Sequence, residues 1–206
     1  NCHMALMLLL NGPGWYFSSE GEGATMTDDQ RMDSGIARVL VSEEQIQERV
    51  AQLGAELGEI YRDGCPILVG ILTGAFVFMA DLSRAMTCQL DVQFMAVSSY
   101  GVSTQSSGVV KILKDLDTPI EGRDILIVED IIDSGLTLAY LLDVLSRRGP
   151  KSIRVVTLLM KEREHHPNVQ VDHCGFLIPD EFVVGYGLDV AGRYRNLSYV
   201  GVYDGS

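Results

Sequence analysis

Blocks of helix-like and strand-like hydrophobic spacing alternate along the chain from Ile36 onward. Ser42 and Gln45 form a capping-box pattern, after which apolar residues recur on one helical face as far as Ile60. Residues 66–72 (PILVGIL) follow as a short, continuous apolar run, which is typical of a strand buried on both faces of a parallel sheet. This part of the chain therefore predicts a helix followed by a buried strand.

The same alternation continues towards the C-terminal end. Helical spacing returns in residues 76–86 and 137–148. The further strand-like runs are residues 92–98, 109–114, 124–129, 152–160, 175–178, 183–185 and 199–202. Repeats of strand and helix predict an α/β fold with a mostly parallel, doubly wound sheet.

Residues 99–108 (SYGVSTQSSG) interrupt this pattern. They are rich in Ser, Gly and Thr and carry almost no apolar side chains. We expect a mobile loop between two strands, and such loops in compact domains often act as lids. An ordinary solvated hairpin loop is an equally good interpretation of the composition.

The first 31 residues differ in pattern from the rest. Residues 4–10 form an apolar run without a basic flank that ends at an Asn-Gly-Pro turn. The run is too short for a transmembrane helix and makes a poor signal peptide. We expect residues 1–31 to be a disordered extension, an expression remnant or the product of a mis-called start, and residues 32–206 to form one domain.

Composition narrows the class of protein. With 206 residues, of which 47% are hydrophobic and 21% charged, the chain can bury one sizeable core and does not resemble a disordered protein. Its formal net charge of -12 and its sequence pI near 4.6 disfavour binding to nucleic-acid polymers. Small phosphorylated ligands remain compatible, because Mg²⁺ and backbone amides can hold them against an acidic background.

The sequence shows no pattern of a disulfide framework or a zinc site. The four cysteines lack a CxxC pair and a regular spacing; they are Cys2, Cys65, Cys88 and Cys174. We therefore expect free thiols in a reducing cytoplasm. His165 and His166 are adjacent, so their side chains point in different directions, and no third ligand has a suitable spacing. A solvated loop is favoured there.

Candidate chemistry concentrates at the end of the apolar run 124–129. Two adjacent acids, Glu129 and Asp130, come first, and a turn then opens the next helix; its residues are Asp133, Ser134, Gly135, Leu136 and Thr137. Backbone N–H groups and the positive end of a helix can hold a phosphate at such a turn without a lysine. The acids can accept hydrogen bonds from sugar hydroxyls or hold Mg²⁺. The alternative is an ordinary helix cap with solvated acids.

Other phosphate-binding motifs are absent from the sequence: it contains neither GxxxxGK[ST] nor GxGxxG, and the Gly-x-Gly pieces at residues 12–14 and 21–23 lie within residues 1–31. The run VEDIIDSGLT resembles the phosphoribosyl-pyrophosphate signature of type I phosphoribosyltransferases. Motifs on both sides make the chain similar to hypoxanthine-guanine phosphoribosyltransferases over residues 36–203. The resemblance implies the type I phosphoribosyltransferase fold, with a small hood formed from about residues 170–206 and the N-terminal part of the domain.

The resemblance implies roles for the residues at the end of run 124–129. Glu129 and Asp130 would bind the ribose hydroxyls and take part in binding Mg²⁺. Asp133 would act as the general acid or base at purine N7. The 5'-phosphate would be held by Asp133, Ser134, Gly135, Leu136 and Thr137.

It also implies a purine pocket built from later residues. Lys161 would donate to the 6-oxo group of the base, Phe182 would stack on the ring, and Val183 would contact the base edge through its backbone. Asp189 would lie beside the purine and order a second Mg²⁺. Arg195, in RYRNL, would reach the pyrophosphate.

Two loops complete the implied site. Ser99 and Tyr100 match the start of the lid that closes over the reacting centre. Thr73 and Gly74 occupy the pyrophosphate loop, where many family members have a lysine before the glycine. Because this chain has Thr73 there, the loop would bind pyrophosphate through its backbone amides and contribute less positive charge.

The implied activity is purine salvage in the cytoplasm: transfer of the 5-phosphoribosyl group from phosphoribosyl pyrophosphate to hypoxanthine or guanine, which gives IMP or GMP and pyrophosphate. Lys161 can donate to a 6-oxo group but cannot accept from the 6-amino group of adenine. The expected cofactor is Mg²⁺ and the expected assembly a homodimer or homotetramer, with no nucleic-acid or membrane partner. The alternatives are a xanthine-preferring phosphoribosyltransferase and a non-enzymatic RNA-binding regulator on the same fold.

Overall fold

The structure is a computed structural model that describes residues 34–99 and 110–205. The expected extension at residues 1–31 lies outside the described residues, and so does most of the expected loop at residues 99–108.

Strands and helices alternate through the described part of the chain, as the hydrophobic pattern predicts. In chain order the elements are β1 (Ile36–Val41), α1 (Glu43–Ile60), β2 (Ile67–Leu72), α2 (Phe76–Ala85), β3 (Asp91–Ser99), β4 (Val110–Lys114), β5 (Asp124–Ile132), α3 (Leu136–Ser146), β6 (Ser152–Lys161), β7 (His173–Ile178), β8 (Val183–Val184) and β9 (Val200–Tyr203).

The larger of the two sheets has the strand order β4-β3-β2-β5-β6-β7. Its strands pair in parallel except for β4, which runs antiparallel to β3. The predicted α/β fold with a mostly parallel sheet is therefore confirmed. Because β2, β5 and β6 are parallel neighbours, their carboxyl ends meet at one edge, which is where open α/β sheets place their ligand sites.

Apolar side chains cover both faces of this sheet, which explains why β5 is a continuous apolar run. Leu126 and Val128 belong to the core shared with α1 and α2, whereas Ile125 and Ile127 belong to the core shared with α3. Consecutive side chains of a strand point to opposite faces. A strand between two helical layers must therefore be apolar at every position.

The smaller sheet is antiparallel and has the order β1-β9-β8. Its residues Val183 and Val200 share a core with Leu53 of α1, so this sheet packs on one face of the larger sheet. The strand His173–Ile178 falls inside the range that the sequence assigns to a hood, yet it is the edge strand of the larger sheet. After β7, the chain enters the smaller antiparallel sheet only at Val183, the first residue of β8.

Local signals place the start of α1 correctly. Ser42 is the N-cap: its Oγ accepts from the backbone N–H of Gln45 at 3.3 Å, and Gln45 Oε1 accepts from the backbone N–H of Ser42 at 2.9 Å. The predicted capping box is therefore confirmed. Strand β5 runs three residues beyond its predicted end at Glu129, because the ladder with β6 continues to Ile132.

Candidate active site

The turn between β5 and α3 encloses a cavity of about 120 Å³, which we call the nest cavity; it is lined by Glu129 and residues 131–138. Gly135 is the N-cap of α3 with a left-handed φ of 77°, and no side chain in the described ranges caps this helix. Ser134 Oγ lies 3.5 Å from the nitrogen of Leu136, at the outer limit of a hydrogen bond. The first N–H groups of α3 are thus available to an anion, which favours a phosphate nest over an ordinary helix cap.

Glu129 and Asp130 serve different parts of the site. Glu129 is buried and lines the nest cavity. Asp130 lies against Gly74: a Cβ placed on Gly74 would overlap Oδ2 of Asp130 and lie 2.6 Å from its Cγ. Consecutive side chains of a strand point to opposite faces of the sheet. The two carboxyl groups are therefore apart in space although they are adjacent in the sequence.

Burial controls the charge of both acids. Burial, and then the neighbouring Asp130, raise the pKa of Glu129 well above its usual range. Burial also raises the pKa of Asp130 to about 6, although the backbone N–H of Ile131 and the guanidinium of Arg195 act in the opposite direction. Such perturbed carboxyl groups at the edge of a sheet are typical of functional sites.

The loop after β2 packs tightly against the loop after β8. The peptide bond between Leu72 and Thr73 is cis, and Thr73 is exposed. A Cβ on Gly187, which has a φ of +100°, would overlap the carbonyl oxygen of Gly74. Only glycine therefore fits at position 187. Gly74 lies between Asp130 on one side and Gly187 on the other.

Arg195 and Asp189 form the other wall of this region. Arg195 Nη2 lies 2.6 Å from Oδ1 of Asp189, and its Nη1 donates to the carbonyl oxygen of Gly187 at 2.6 Å. The second carboxylate oxygen of Asp189 accepts from the backbone N–H of Gly192 at 2.7 Å. Both side chains act electrostatically on Asp130. The structure therefore brings Arg195, Asp189 and Asp130 together around Gly74, whereas Glu129, the third predicted metal residue, lies on the nest-cavity side.

The predicted base-binding lysine belongs to a network of four charged side chains. Lys161 Nζ lies 3.1 Å from Oδ1 of Asp180 and 3.7 Å from Oδ2 of Asp133. Arg163 Nη1 lies 2.8 Å from Oδ1 of Asp133 and 3.4 Å from Oδ2 of Asp180. The hydrogen bond from Lys161 lowers the pKa of Asp180. We call these four residues the charge network.

Phe182 and Val183 lie at the start of β8, shortly after Asp180 in the chain. Phe182 is 53% exposed and meets Tyr203 edge-on, with ring centroids 6.1 Å apart. Val183 is buried in β8, where its side chain is core. An exposed aromatic face held from behind by a second ring is available to stack on a planar ligand.

The two lid residues and the histidine pair have different outcomes. Ser99 ends β3, where its backbone pairs with Val110, and Tyr100 lies outside the described residues. The segment at His165 and His166 is an irregular loop in which residues 162–164, 167 and 168 are exposed; both histidines are half-buried, and the backbone N–H of His166 donates to the carbonyl of Ser134 at 3.0 Å. This segment packs against the turn that forms the nest cavity, a contact that local spacing in the sequence does not reveal.

Sequence reasoning missed Arg163 and Asp180. Asp180 lies just beyond the carboxyl end of β7, which the sequence predicts as the strand 175–178. Its place at the edge of the sheet that carries the site could therefore have been predicted. Arg163 carried the same signal, because it lies two residues beyond the carboxyl end of β6; its contacts with Asp133 and Asp180, which are 30 and 17 residues away in the chain, are not predictable from local spacing.

Two kinds of feature are absent from the described ranges 34–99 and 110–205. These ranges contain no cluster of three or more His, Cys, Asp or Glu side chains that could hold a metal ion. Nor do they contain a helix with the length and apolar character needed to span a bilayer.

Comparison with known proteins adds three similarities. A family model described as the phosphoribosyl transferase domain matches residues 42–191. The hypoxanthine-guanine phosphoribosyltransferase of Bacillus subtilis is 57% identical over 171 residues, which cover 83% of this chain and 95% of that protein. The enzyme of the same name from Mycobacterium tuberculosis is 53% identical over 175 residues, covering 82% of this chain and 87% of that protein.

A similar fold is found among solved structures. The crystal structure of a hypoxanthine phosphoribosyltransferase from Staphylococcus aureus superimposes with a TM-score of 0.81 at 41% sequence identity, covering 87% of this chain and 96% of that one.

Proposed function

The chain belongs to the hypoxanthine-guanine phosphoribosyltransferase family, and we propose that it transfers the 5-phosphoribosyl group of phosphoribosyl pyrophosphate to hypoxanthine or guanine in purine salvage. The products are IMP or GMP and pyrophosphate. One observation carries the proposal: Asp133 lines the phosphate-sized nest cavity, and its carboxylate lies 3.7 Å from Lys161, which can donate to a 6-oxo group.

Phosphate binding orients the sugar. The 5'-phosphate binds in the nest cavity through the N–H groups at the start of α3, where the helix dipole favours an anion. Glu129 lines the same cavity and accepts a hydrogen bond from a ribose hydroxyl. Thr73 and Gly74 bind the pyrophosphate through backbone amides, and Arg195 contributes the positive charge.

Positive charge develops on the ribosyl group as the bond between its anomeric carbon and the pyrophosphate oxygen loosens. A purine nitrogen attacks that carbon from the opposite face. Asp130, on the Gly74 side of β5, stabilises the developing cation electrostatically. Asp133 takes or gives the proton at purine N7, while Lys161 donates to the 6-oxo group and Phe182 stacks on the ring.

The carboxylates of this site fit Mg²⁺. Asp130 and Asp189 supply hard oxygen ligands, Asp189 lies close enough to act electrostatically on Asp130, and Glu129 lies on the nest-cavity side. Mg²⁺ is commonly bound by one or two carboxylates together with substrate phosphates rather than by a complete protein cage. When bound, the ion supplies neutralisation of the pyrophosphate charge.

We also propose that the protein works in the cytoplasm as a homodimer or homotetramer. Cys65, Cys88 and Cys174 are free thiols, which suits a reducing compartment. Phe76 is an apolar side chain 41% exposed beside a groove of about 420 Å³ that includes Val77 and Tyr186, a surface suited to a second copy of the chain.

The proposal is tested by measuring nucleotide formation from phosphoribosyl pyrophosphate with hypoxanthine, guanine, xanthine and adenine in parallel. We expect turnover of hypoxanthine and guanine. Adenine should be rejected because it leaves the Lys161 donor unpaired, at about 1–3 kcal/mol. Preferential use of xanthine would favour the xanthine enzyme, and use of adenine without hypoxanthine would overturn the proposal. Salt-sensitive retention of RNA without turnover would favour the RNA-binding regulator instead.

A further inference from the structure

The charge network joins the carboxyl ends of three neighbouring strands. Asp133 follows β5, Lys161 ends β6 with Arg163 two residues later, and Asp180 follows β7. The strand order β5-β6-β7 brings these four side chains to one edge of the larger sheet. Two carboxylates there face two cations.

The two cations divide the carboxylate oxygens between them without overlap. Lys161 contacts Oδ2 of Asp133 and Oδ1 of Asp180. Arg163 contacts Oδ1 of Asp133 and Oδ2 of Asp180. Each acid is therefore bridged by both cations, and either cation can leave while the other keeps its contacts with both acids.

Base binding requires one of them to leave. In the proposed function, Lys161 turns its ammonium group towards the 6-oxo group of the purine. This move would leave the carboxylates of Asp133 and Asp180, which are 53% and 47% exposed, with Arg163 as the cation that still contacts both of them. Arg163 is the cation that stays, because its contacts do not use the oxygens that Lys161 gives up.

We propose that Arg163 is a positioning residue for purine binding: it holds and neutralises Asp133 and Asp180 so that Lys161 can donate to the base. This inference rests on the proposed function and adds a residue to it. The guanidinium does not touch the substrate in this scheme. It acts through Asp133, whose orientation decides proton transfer, and through Asp180, which otherwise retains Lys161.

The effect should appear in catalysis rather than in folding. The side chains of Arg163, Asp133 and Asp180 are 41%, 53% and 47% exposed. Ion pairs of such exposure contribute little to stability. A second pair provides a matched control: Arg123 and Asp91 are 39% and 52% exposed at 2.6 Å, at the starts of β5 and β3 and thus at the opposite edge of the sheet.

The test compares the wild-type protein with Arg163→Met, Arg163→Lys and Arg123→Met. Methionine keeps the apolar stem and removes the charge. At saturating phosphoribosyl pyrophosphate, Arg163→Met should raise KM for hypoxanthine about tenfold and leave KM for phosphoribosyl pyrophosphate within about twofold. Arg163→Lys should recover most of the loss because it restores the charge. Arg123→Met should leave all kinetic constants unchanged.

A double variant separates positioning from damage to the structure. Adding Asp180→Asn to Arg163→Met removes one of the two acids that Lys161 would leave behind, so KM for hypoxanthine should return towards the wild-type value. If Arg163→Met acted by damaging the fold, the second substitution would instead raise KM for hypoxanthine further. An inactive wild-type protein would overturn the proposed function. With an active wild type, equal KM values for wild type and Arg163→Met, or no recovery in the double variant, would overturn the role of Arg163.

Discussion

Gly74 lies so close to the carboxylate of Asp130 that no side chain fits between them. This contact joins the loop after β2 to the end of β5, two parallel neighbours in the larger sheet. It places the proposed pyrophosphate loop directly beside the proposed ribose-binding acid. Close backbone approach is one of the few needs that only glycine meets.

Replacing Gly74 with alanine should therefore damage both stability and substrate binding. The new Cβ overlaps the Asp130 carboxylate, and relief requires movement of the loop or of the acid. We expect a loss of about 1–3 kcal/mol in the free energy of unfolding and a raised KM for phosphoribosyl pyrophosphate. Urea unfolding and steady-state kinetics measure these effects. Gly64→Ala is the control, because a Cβ there lies 3.7 Å from the carbonyl oxygen of Tyr61; equal effects from both variants would contradict the prediction.

Asp130 should make the stability of the metal-free protein fall as pH rises. Burial raises its folded pKa to about 6, above about 3.9 in the unfolded chain. The folded state therefore holds this proton more tightly, and the stabilisation that results is complete below about pH 4 and lost as pH rises through about 6. Asn imitates the protonated acid, so Asp130→Asn should be more stable than wild type at about pH 8, by up to about 3 kcal/mol.

The difference between these two proteins should shrink towards about pH 5. Urea unfolding in the presence of a chelator measures it at several pH values. A difference that is constant over this range would show that Asp130 is not the group that titrates.

Asp133→Asn should reduce turnover without unfolding the protein. Asparagine cannot take the proton of purine N7, and general acid–base groups contribute about two to four orders of magnitude to rate. We expect kcat to fall by about that amount. Because the Asp133 side chain is 53% exposed, the unfolding free energy should change little. Asp143→Asn, which removes an exposed ion pair with Arg147 on α3, is the control. Unchanged turnover in Asp133→Asn would remove Asp133 from the proton-transfer role.

A lysine at position 73 should strengthen binding of phosphoribosyl pyrophosphate. Thr73 is exposed beside Gly74, so a longer side chain is accommodated, and its charge would lie near the proposed pyrophosphate loop. Thr73→Lys should lower KM for phosphoribosyl pyrophosphate by about threefold and make it more sensitive to salt. Gln52→Lys adds the same charge on an exposed face of α1, and it should have no such effect. A KM that is equal in both variants would show that Thr73 does not face the pyrophosphate.

Local patterns in the sequence determined the class of fold. The continuous apolar run of β5 demands burial on both faces, and the capping box at Ser42 starts α1, because both signals act between residues close in the chain. The strand-to-helix turn at Gly135 likewise predicts the nest cavity. These features need no information about distant residues.

Only the tertiary structure decided which residues share the site. It presses Gly74 against Asp130 and brings Arg163 to Asp133 and Asp180. Those contacts depend on strand order and on the packing of irregular segments, which involve residues far apart in the chain. Periodicity carries no information on such pairs, because it records only the direction in which each side chain leaves its own element.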